Sequence, residues 1–292
     1  MAKLEAGTLA ATVGRVTGAA LRSGALRPIQ TEQRWIEQDG VRFIVRKVSS
    51  LARKRRAKPD NPVDPFLPYD PALFVAEVSR THICLLNKFN VIDRHLLIVT
   101  RDFQDQESLL TDADFQALST CMAEIDGLGF YNGGTVAGAS QPHKHLQLVP
   151  LPMADEGPAV PLEPLLAAAE TDGTVGRVPG LPFRHAFARL DASLFRGPTA
   201  AAEAIHERYR ALLAAAGIEA VAVGGEIRQS APYNLLLTRQ WMLLVPRSHE
   251  CFEAISVNAL GFAGSLFVRG ARQMKTVDDH GPMAVLRRVA IV

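Results

Sequence analysis

The sequence predicts an α+β fold in which a largely antiparallel sheet carries flanking helices. Short apolar segments with many β-branched residues dominate the first half, at 41–45, 72–78, 82–87 and 95–100, and their length favours strands over helices. The connection of residues 88–94 is short enough to join antiparallel neighbours. Helical segments occur between the strands without the regular alternation that is typical of a parallel sheet.

Length and composition set the broad class. The chain has 292 residues, of which 48% are hydrophobic, and a formal net charge of +2. At about 150 residues per domain, this length predicts roughly two domains. The nearly balanced charge gives no overall bias toward nucleic acid or an anionic membrane. The longest apolar run is residues 211–216, which is far short of the roughly 18–20 residues that a membrane span requires.

Cysteine usage predicts the compartment. Cys84, Cys121 and Cys251 lie far apart and form no C-x-x-C pair, which is typical of a reducing cytoplasm and argues against a disulfide framework. The N-terminus lacks the compact apolar stretch of a secretory signal. We therefore expect a cytoplasmic protein without a membrane or nucleic-acid partner.

The helices of the first half can be placed from local signals. Apolar residues at positions 4, 9, 13, 16 and 21 form a loose helical stripe, which predicts a helix packed on the body. Thr111 is a good N-cap and Asp112 and Asp114 suit a helix N-terminus, so a helix is expected from there up to Gly127. Residues 127–141 carry five glycines in their first twelve positions and predict a glycine-rich loop.

The remaining elements follow this loop. A strand is expected over 143–151, and the proline-, glycine- and acid-rich residues 152–182 predict a linker or excursion with a short helix at 162–170. The second half predicts a helix over 200–216, closed by Gly217, and strands at 219–223, 233–237 and 241–245.

Residues 46–58 form a basic run with three open interpretations. It holds seven cations, Arg46, Lys47, Arg53, Lys54, Arg55, Arg56 and Lys58. The run is typical of a solvated helix face, and contact with a polyphosphate or with RNA is the alternative. Prolines then recur at every third position, at 59, 62, 65, 68 and 71. That spacing aligns them on one edge of a polyproline II helix and predicts an extended strap along the surface.

The segment 138–147, GASQPHKHLQ, indicates chemistry. In a strand, alternate side chains share a face, so His143, His145 and Gln147 project together while Lys144 points the other way. Such a polar row is costly if it is buried without partners. The glycine-rich approach leaves backbone amides that an anion can reach closely. A partly buried polar strand without chemistry is the alternative.

This row suits transfer of a phosphoryl or nucleotidyl group. A neutral imidazole is a good nucleophile toward phosphorus when its other ring nitrogen is held by an acceptor. A second histidine and an amide can donate hydrogen bonds to the oxygens on which charge develops. A zinc site is less favoured, because His143 and His145 lack the further ligands that zinc needs, and we expect no metal ligands here.

The chain resembles the diadenosine tetraphosphate phosphorylases, also called ATP adenylyltransferases, a branch of the histidine triad superfamily. The resemblance rests on segments in the family's order across most of residues 40–270: NPVDPFLPYDPALFV, THICLLNKFNVIDRHLLIVTRDFQDQ, GLGFYNGG, GASQPHKHLQLVPLP and YNLLLTRQWMLLVPR. It implies two histidine-triad-like halves in one chain, which we place at 1–165 and 166–292. Small histidine-triad proteins reach that arrangement as dimers, so the resemblance implies a monomer.

The resemblance also implies roles for individual residues. His145 is the expected nucleophile, with His143 and Gln147 as its catalytic partners. The expected substrate-binding residues are Lys54, Asn87, Lys88, Asn132, Gly138, Ala139, Ser140, Gln141, Gln147, Leu236, Leu237, Thr238 and Arg247. Lys54 is chosen over Lys47 and Lys58, because the basic run is too repetitive to align.

The implied reaction is reversible phosphorolysis of diadenosine tetraphosphate to ATP and ADP through an adenylyl-histidine. No tightly bound cofactor is implied, and whether magnesium or manganese accompanies the nucleotide stays open. A hydrolase or another nucleotidyltransferase of the superfamily is the nearest alternative. An RNA-binding or regulatory protein that uses residues 46–58 is the alternative from another class, and steeply salt-dependent RNA binding would mark it.

Overall fold

The structure, a computed structural model, describes residues 4–48 and 64–292. Its helices are α1 (Leu9–Ser23), α2 (Asp112–Glu124), α3 (Glu163–Ala167), α4 (Pro198–Ala216), α5 (Ala259–Phe262), α6 (Ala271–His280) and α7 (Pro282–Val289). None of the helices in these two ranges is long and apolar enough to cross a membrane.

Most strands belong to one sheet of ten. The strands are β1 (Thr31–Gln38), β2 (Val41–Val48), β3 (Phe74–Glu77), β4 (His82–Leu86), β5 (Leu96–Thr100), β6 (Gly127–Gly133), β7 (His145–Pro150), β8 (Glu170–Asp172), β9 (Val175–Arg177), β10 (Ala186–Arg189), β11 (Ala220–Val223), β12 (Glu226–Gln229), β13 (Tyr233–Leu237), β14 (Trp241–Pro246), β15 (Cys251–Phe252), β16 (Ile255–Ser256) and β17 (Ser265–Val268). The large sheet has the order β3-β4-β5-β7-β6-β13-β14-β10-β9-β8. All of its pairings are antiparallel, which confirms the predicted α+β class.

The large sheet contains the same unit twice. In the first half β4, β5, α2, β6 and β7 follow one another, and the strands lie in the order β4-β5-β7-β6. In the second half β9, β10, α4, β13 and β14 follow with the order β9-β10-β14-β13, and the hairpin β11–β12 is inserted after α4. The two units meet where β6 pairs with β13. This repeat provides the two related halves that the resemblance implies.

Each face of the large sheet is covered by a different layer. Helices α1, α2 and α4 pack on one face, with Leu146 and Leu148 of β7 among the core residues there. The other face of the second half packs against β2, β17 and the C-terminal helices. Strand β2 lies between β1 and β17 in a separate sheet, antiparallel to the first and parallel to the second. The N-terminal and C-terminal parts of the chain thus build this second layer together.

The structure corrects three of the predicted elements. Residues 127–133 form the fully buried strand β6, so the glycine-rich loop starts only at Gly134 and α2 ends at Glu124. The glycines permit close packing, because a Cβ at Gly129 would lie 3.2 Å from the side chain of Leu118 in α2. Residues 152–182 are no linker, since β8 and β9 extend the large sheet and Val160, Leu162 and Leu181 lie in the core.

The predicted strap is also wrong where it is described. Phe66 and Tyr69 face each other in an antiparallel bridge, so the chain reverses direction there instead of extending. Pro59 and Pro62 lie outside the described residues. In α1 the buried face is formed by Leu9, Val13, Val16 and Ala20, whereas Leu21 is exposed.

Candidate active site

A large cleft lies over β5 and β7, on the sheet face opposite α2. Its volume is about 1810 Å³, well above the ~300–1,000 Å³ of an ordinary small-molecule site. Many of the predicted catalytic and substrate-binding residues line it. They are Asn87, Lys88, Asn132, Gly138, Ala139, Ser140, Gln141, His145 and Gln147. The structure therefore brings together residues from 87 to 147 of the sequence.

His145 opens β7 and presents one ring nitrogen to this cleft. Its Nδ1 lies 2.8 Å from the carbonyl oxygen of His143. A carbonyl only accepts, so Nδ1 carries the proton and Nε2 has the free lone pair. Burial lowers the pKa of His145 to about 4, and the ring is therefore neutral near pH 7. A neutral ring of this tautomer is what nucleophilic attack through Nε2 requires.

His143 occupies a different place from the one predicted. It lies on the same side as His145, but Phe66 and Phe103 cover its ring, and it does not line the cleft. Its Nδ1 lies 2.8 Å from Asp64 Oδ2, and its Nε2 lies 2.9 Å from the oxygens of Thr100. The row that reaches the cleft begins at His145, because the rings of Phe66 and Phe103 close His143 off. The backbone carbonyl of His143, and not its ring, contacts the ring of His145.

Gln106 fixes the backbone of His145. The side-chain Oε1 of Gln106 accepts from the His145 N–H at 2.9 Å, and its Nε2 donates to Asn132 O at 2.9 Å. These bonds stand where the ladder between β6 and β7 would otherwise continue, since the last pair is Phe130 with Gln147. A buried side chain thus replaces one rung of the sheet at the point where the reactive ring projects.

Gln147 is held by a relay of three hydrogen bonds with a fixed direction. The Phe89 N–H donates to Asn87 Oδ1 at 3.3 Å, which turns Asn87 Nδ2 toward His95 Nδ1 at 3.1 Å. His95 Nδ1 must then accept, so its Nε2 carries the proton and donates to Gln147 Oε1 at 2.9 Å. Gln147 Nε2 is left facing the cleft, with no acceptor among the described residues.

Asn132 is oriented by a second relay of the same kind. The guanidinium of Arg247 donates to Asn234 Oδ1, and Asn234 Nδ2 donates to Asn132 Oδ1 at 2.9 Å. The Ala259 N–H also donates to Asn132 Oδ1, at 2.9 Å. Since this oxygen is fully engaged, the Nδ2 of Asn132 faces the cleft. Asn132 and Gln147 therefore both present amide donors on the strands that carry and flank His145.

Arg247 does not reach the cleft itself. It is buried, and its guanidinium also donates to the carbonyl oxygens of Ala137, Val257 and His249. Burial lowers its pKa to about 10, which leaves it charged near neutral pH. The residue joins β14, the glycine-rich loop and the segment before α5, so it supports the site from behind.

The glycine-rich loop 134–141 approaches another backbone closely. Gly138 has φ +88°, and a Cβ there would lie 2.8 Å from Val257 O, so glycine is required by conformation and by space. Beyond it, the N–H groups of Ser140 and Gln141 donate to no acceptor within residues 4–48 and 64–292. Free N–H groups at a cleft wall suit an anion.

Among the residues that the structure describes, three cations line the cleft, namely Lys47, Lys88 and Arg269. Lys47 pairs with Glu32 at 2.9 Å, and Lys88 lies 3.5 Å from Asp70. Lys54, the predicted contact in the basic run, lies outside the described residues, as does Lys58. Arg46 is buried and donates to Met153 O. The described part of this run therefore supplies no exposed basic face for RNA.

Three further predicted contacts, besides Arg247, are not brought to the cleft. Leu236 and Leu237 are fully buried in the cores on opposite faces of the sheet, because alternate residues of β13 point to opposite faces. Thr238 accepts from the Gln240 N–H in the turn after β13. These residues lie toward the end of β13 that pairs with Gly129, whereas the cleft lies near the Gly133 end. They follow Asn234 closely in the sequence, but in the structure they lie away from the cleft.

Lys144 points away from the cleft, as predicted. Its Nζ donates to Asp114 Oδ2 at 2.8 Å, and Asp114 Oδ1 lies 3.0 Å from His82 Nε2. Although burial raises the pKa of Asp114, His82 and Lys144 hold it well below its usual range. This buried group ties the start of β7 to the N-terminus of α2.

Sequence reasoning missed the supporting residues His95, Gln106 and Asn234. Each is buried and acts through a neighbour that is far away in sequence, so no local pattern marks it. No group of three or more His, Cys, Asp and Glu side chains within the described ranges is arranged to hold a metal ion. The expected absence of metal ligands stays a prediction.

Comparisons with known proteins agree with this geometry. Residues 1–168 match the family model described as the Ap4A phosphorylase N-terminal domain, and residues 179–292 match the ATP adenylyltransferase C-terminal domain. The expected boundary at 165/166 stays a prediction. Diadenosine 5′,5′′′-P1,P4-tetraphosphate phosphorylase 2 of Saccharomyces cerevisiae is 27% identical, with 90% of this chain and 88% of that protein covered. Protein APA1 of the same yeast is 24% identical, over 89% and 86%.

Solved structures show the same fold. The crystal structure of yeast Ap4A phosphorylase Apa2 has a TM-score of 0.79 to this chain at 24% identity, and covers 97% of this chain and 94% of that one. The complex of Apa2 with Ap4A has a TM-score of 0.75 at 23% identity, with 97% of each chain covered. The fold is thus shared over nearly the whole length of the chain.

Proposed function

Because this chain belongs to the Ap4A phosphorylase family, we propose that it splits diadenosine 5′,5′′′-tetraphosphate (Ap4A) with inorganic phosphate. The products are ATP and ADP, and the reaction is reversible. One observation carries the proposal. His145 is neutral, holds its proton on Nδ1, and turns Nε2 into a cleft beside two outward-facing amides. That arrangement suits attack on phosphorus through a covalent adenylyl-histidine.

In the first step the lone pair of His145 Nε2 attacks the phosphorus next to one adenosine. A nitrogen–phosphorus bond forms, the bond to the bridging oxygen breaks, and ATP leaves with the electron pair. The ring now carries AMP and a positive charge. The carbonyl oxygen of His143, 2.8 Å from Nδ1, keeps the remaining ring proton and stabilises that charge.

In the second step inorganic phosphate attacks the same phosphorus. The nitrogen–phosphorus bond breaks, its electrons return to Nε2, and ADP is released with the neutral ring restored. The amides of Gln147 and Asn132 donate to the nonbridging oxygens, where charge is concentrated during both transfers. Two displacements at one phosphorus explain why one nucleophile and one set of donors suffice.

The cleft suits a long anionic substrate. Its volume of about 1810 Å³ exceeds that of a mononucleotide site. Lys47, Lys88 and Arg269 line it, and so do Ser140 and Gln141, whose N–H groups have no acceptor among the described residues. These groups are suited to four bridged phosphates. We also propose that Lys54 contacts the phosphates and that a divalent cation, magnesium or manganese, binds together with the nucleotide.

A product assay tests the reaction. Ap4A is incubated with the protein with and without inorganic phosphate, and nucleotides are separated by chromatography. Phosphorolysis gives equal amounts of ATP and ADP and requires phosphate. Turnover without phosphate to ATP and AMP would show water as the acceptor and would favour the hydrolase alternative.

We further propose that the protein acts as a monomer in the cytoplasm. Both related halves of the sheet are supplied by one chain, so a complete cleft needs no second copy. Its three cysteines are free, which supports a reducing compartment. Light scattering over a range of protein concentrations tests the monomer, and cell fractionation tests the compartment.

A further inference from the structure

We propose that His95 is a positioning residue for nucleotidyl transfer, because it fixes Gln147 with its amide Nε2, and not its oxygen, toward the substrate phosphate. The proposal rests on the proposed function of the cleft. It assigns a role to a histidine that lies 52 residues before Gln147 in the sequence. His95 acts through Gln147 and does not need to touch the reacting atoms.

The need for such a residue follows from the chemistry of a carboxamide. Its oxygen and nitrogen are nearly equal in size, so a glutamine can turn either toward the substrate. An amide nitrogen donates to a phosphate oxygen, whereas an amide oxygen repels it. A freely turning Gln147 would therefore spend part of its time in an orientation that opposes transfer. Fixing the orientation beforehand removes that loss, since the donor need not reorganise during reaction.

The relay of hydrogen bonds fixes the orientation of the Gln147 amide, because it starts at a group that can only donate. A backbone N–H, that of Phe89, can only donate, and it engages Asn87 Oδ1. Asn87 Nδ2 must then donate to His95 Nδ1, and His95 Nε2 must donate in turn. The last bond occupies Gln147 Oε1 at 2.9 Å. Burial lowers the pKa of His95 to about 4. The ring therefore keeps a single proton near neutral pH and the direction does not reverse.

The same construction on the neighbouring strand supports this interpretation. Arg247 can only donate as well, and through Asn234 it occupies the side-chain oxygen of Asn132. Two independent relays thus leave two amide nitrogens facing the cleft. They reach Gln147 and Asn132 from opposite sides of β7.

The experiment compares three substitutions of His95. His95→Phe keeps the ring and removes both nitrogens. His95→Asn keeps a group near Nδ1 for Asn87 but none near Nε2, whereas His95→Gln restores a donor near Nε2. We expect kcat for Ap4A phosphorolysis to fall about 10- to 100-fold in His95→Phe and His95→Asn, with less change in KM. His95→Gln should recover most of this loss.

A double substitution separates positioning from stability. If His95 acts through Gln147, His95→Phe should cost less than about 2-fold when Gln147→Met is already present, because coupled residues are not additive. His185→Phe is the matched control. His185 is also buried with two hydrogen bonds, but it lies outside the cleft. That variant should lose thermal stability and keep kcat.

Several outcomes would overturn the proposal. They are multiplicative losses in the double variant, equal activity of His95→Asn and His95→Gln, or a kcat in His95→Phe that equals that of the unsubstituted chain. Binding of AMP, measured by calorimetry, separates this proposal from the proposed function. If the chain fails to turn over Ap4A but binds AMP, weaker binding by His95→Phe and Gln147→Met still supports the positioning role. Unchanged affinity, or no AMP binding at all, overturns it.

Discussion

Burial and one backbone carbonyl prepare the His145 ring for attack. The carbonyl of His143 holds the Nδ1 proton, and burial keeps the ring from gaining a second one. A histidine in water has a pKa of about 6.5 and is half protonated at that pH. The ring of His145, with its pKa lowered to about 4, stays available throughout the neutral range.

This difference predicts the pH dependence of the first chemical step. The rate of adenylyl-enzyme formation should be constant from about pH 5.5 to 8, because His145 is neutral throughout and the bridged phosphates do not titrate there. Rapid mixing with Ap4A labelled at the α-phosphorus, without inorganic phosphate, measures this step alone. A rate that halves near pH 6.5 would show that the ring titrates as it does in water.

The two histidines of the motif should differ strongly in substitution experiments. His145→Ala removes the nucleophile and should cost several orders of magnitude in kcat. His143→Ala keeps the backbone carbonyl that His145 uses, so its cost should be no more than about 100-fold, through looser packing beneath Phe66. Steady-state kinetics of both variants decide the matter. Equal losses would mean that the two histidines do not have distinct roles. A larger loss in His143→Ala would mean that the two roles must be exchanged.

The sequence could predict that His145 and Gln147 line the cleft, but not which residues hold them there. His145 and Gln147 follow from the alternation of a strand and from the resemblance. His95, Gln106 and Asn234 contact the site through folding across the sheet. Their hydrogen-bond directions depend on which atom faces which neighbour, and that information exists only in three dimensions.

Strand β6 shows at the level of elements why glycines misled the prediction. A run with five glycines in twelve residues is typical of a loop. Here Gly127 and Gly129 allow side chains of α2 and β7 to pack directly against the strand backbone. By contrast the start of α2 and the end of α4 were predicted well, because Thr111 caps the first and Gly217 closes the second through local bonds. Prediction succeeded where the cause was local and failed where packing decided.

Alanine substitutions at two glycines should therefore have opposite effects. At Gly127 a Cβ would lie 2.7 Å from Val149 O, so Gly127→Ala should destabilise the protein by about 1–3 kcal/mol. At Gly14 in α1 an added Cβ would meet no atom within 4 Å, so Gly14→Ala should stabilise the protein by about 0.5–1 kcal/mol. Urea denaturation of the two variants and the parent measures both. A tolerated Gly127→Ala would mean that β6 shifts freely.

The repeated unit explains at the scale of the molecule why the chain has one reactive strand. In the second half β14 takes the place of β7. On the face where β7 carries His145 and Gln147, β14 carries Trp241, Leu243 and Val245, which lie in the core under β2 and β17. In the proposed reaction one half thus performs the chemistry, and the other supports it through Asn234 and Arg247.

The number of adducts per chain checks this asymmetry. With Ap4A labelled at the α-phosphorus and no inorganic phosphate, labelling should stop at one AMP per chain and map to the peptide that holds His145. Mass spectrometry of the intact protein measures the ratio, and His145→Ala is the control without adduct. Two labels per chain would place a second nucleophile in the other half.

Acid should weaken the fold through the same buried rings. The pKa of His145 and of His95 is lowered to about 4, below the unfolded value near 6.5, so the unfolded chain binds more protons between these values. The free energy of unfolding should thus be unaffected by these rings above pH 6.5. It should fall by on the order of 3 kcal/mol for each ring as pH drops to about 4. Denaturation of His95→Phe across this range should show a shallower fall than the parent shows.

The junction of β6 and β13 within one chain also bears on how such an enzyme can change over generations. Two identical subunits are encoded by one gene, so every substitution appears on both sides of their symmetry axis. A single chain that holds both units is free of that rule, because each side is encoded separately. The strand β14 can therefore carry a tryptophan and two aliphatic residues, although the corresponding strand β7 carries a histidine and a glutamine. Fusion of the two units permits this division of labour between reaction and support, which a symmetric pair cannot encode.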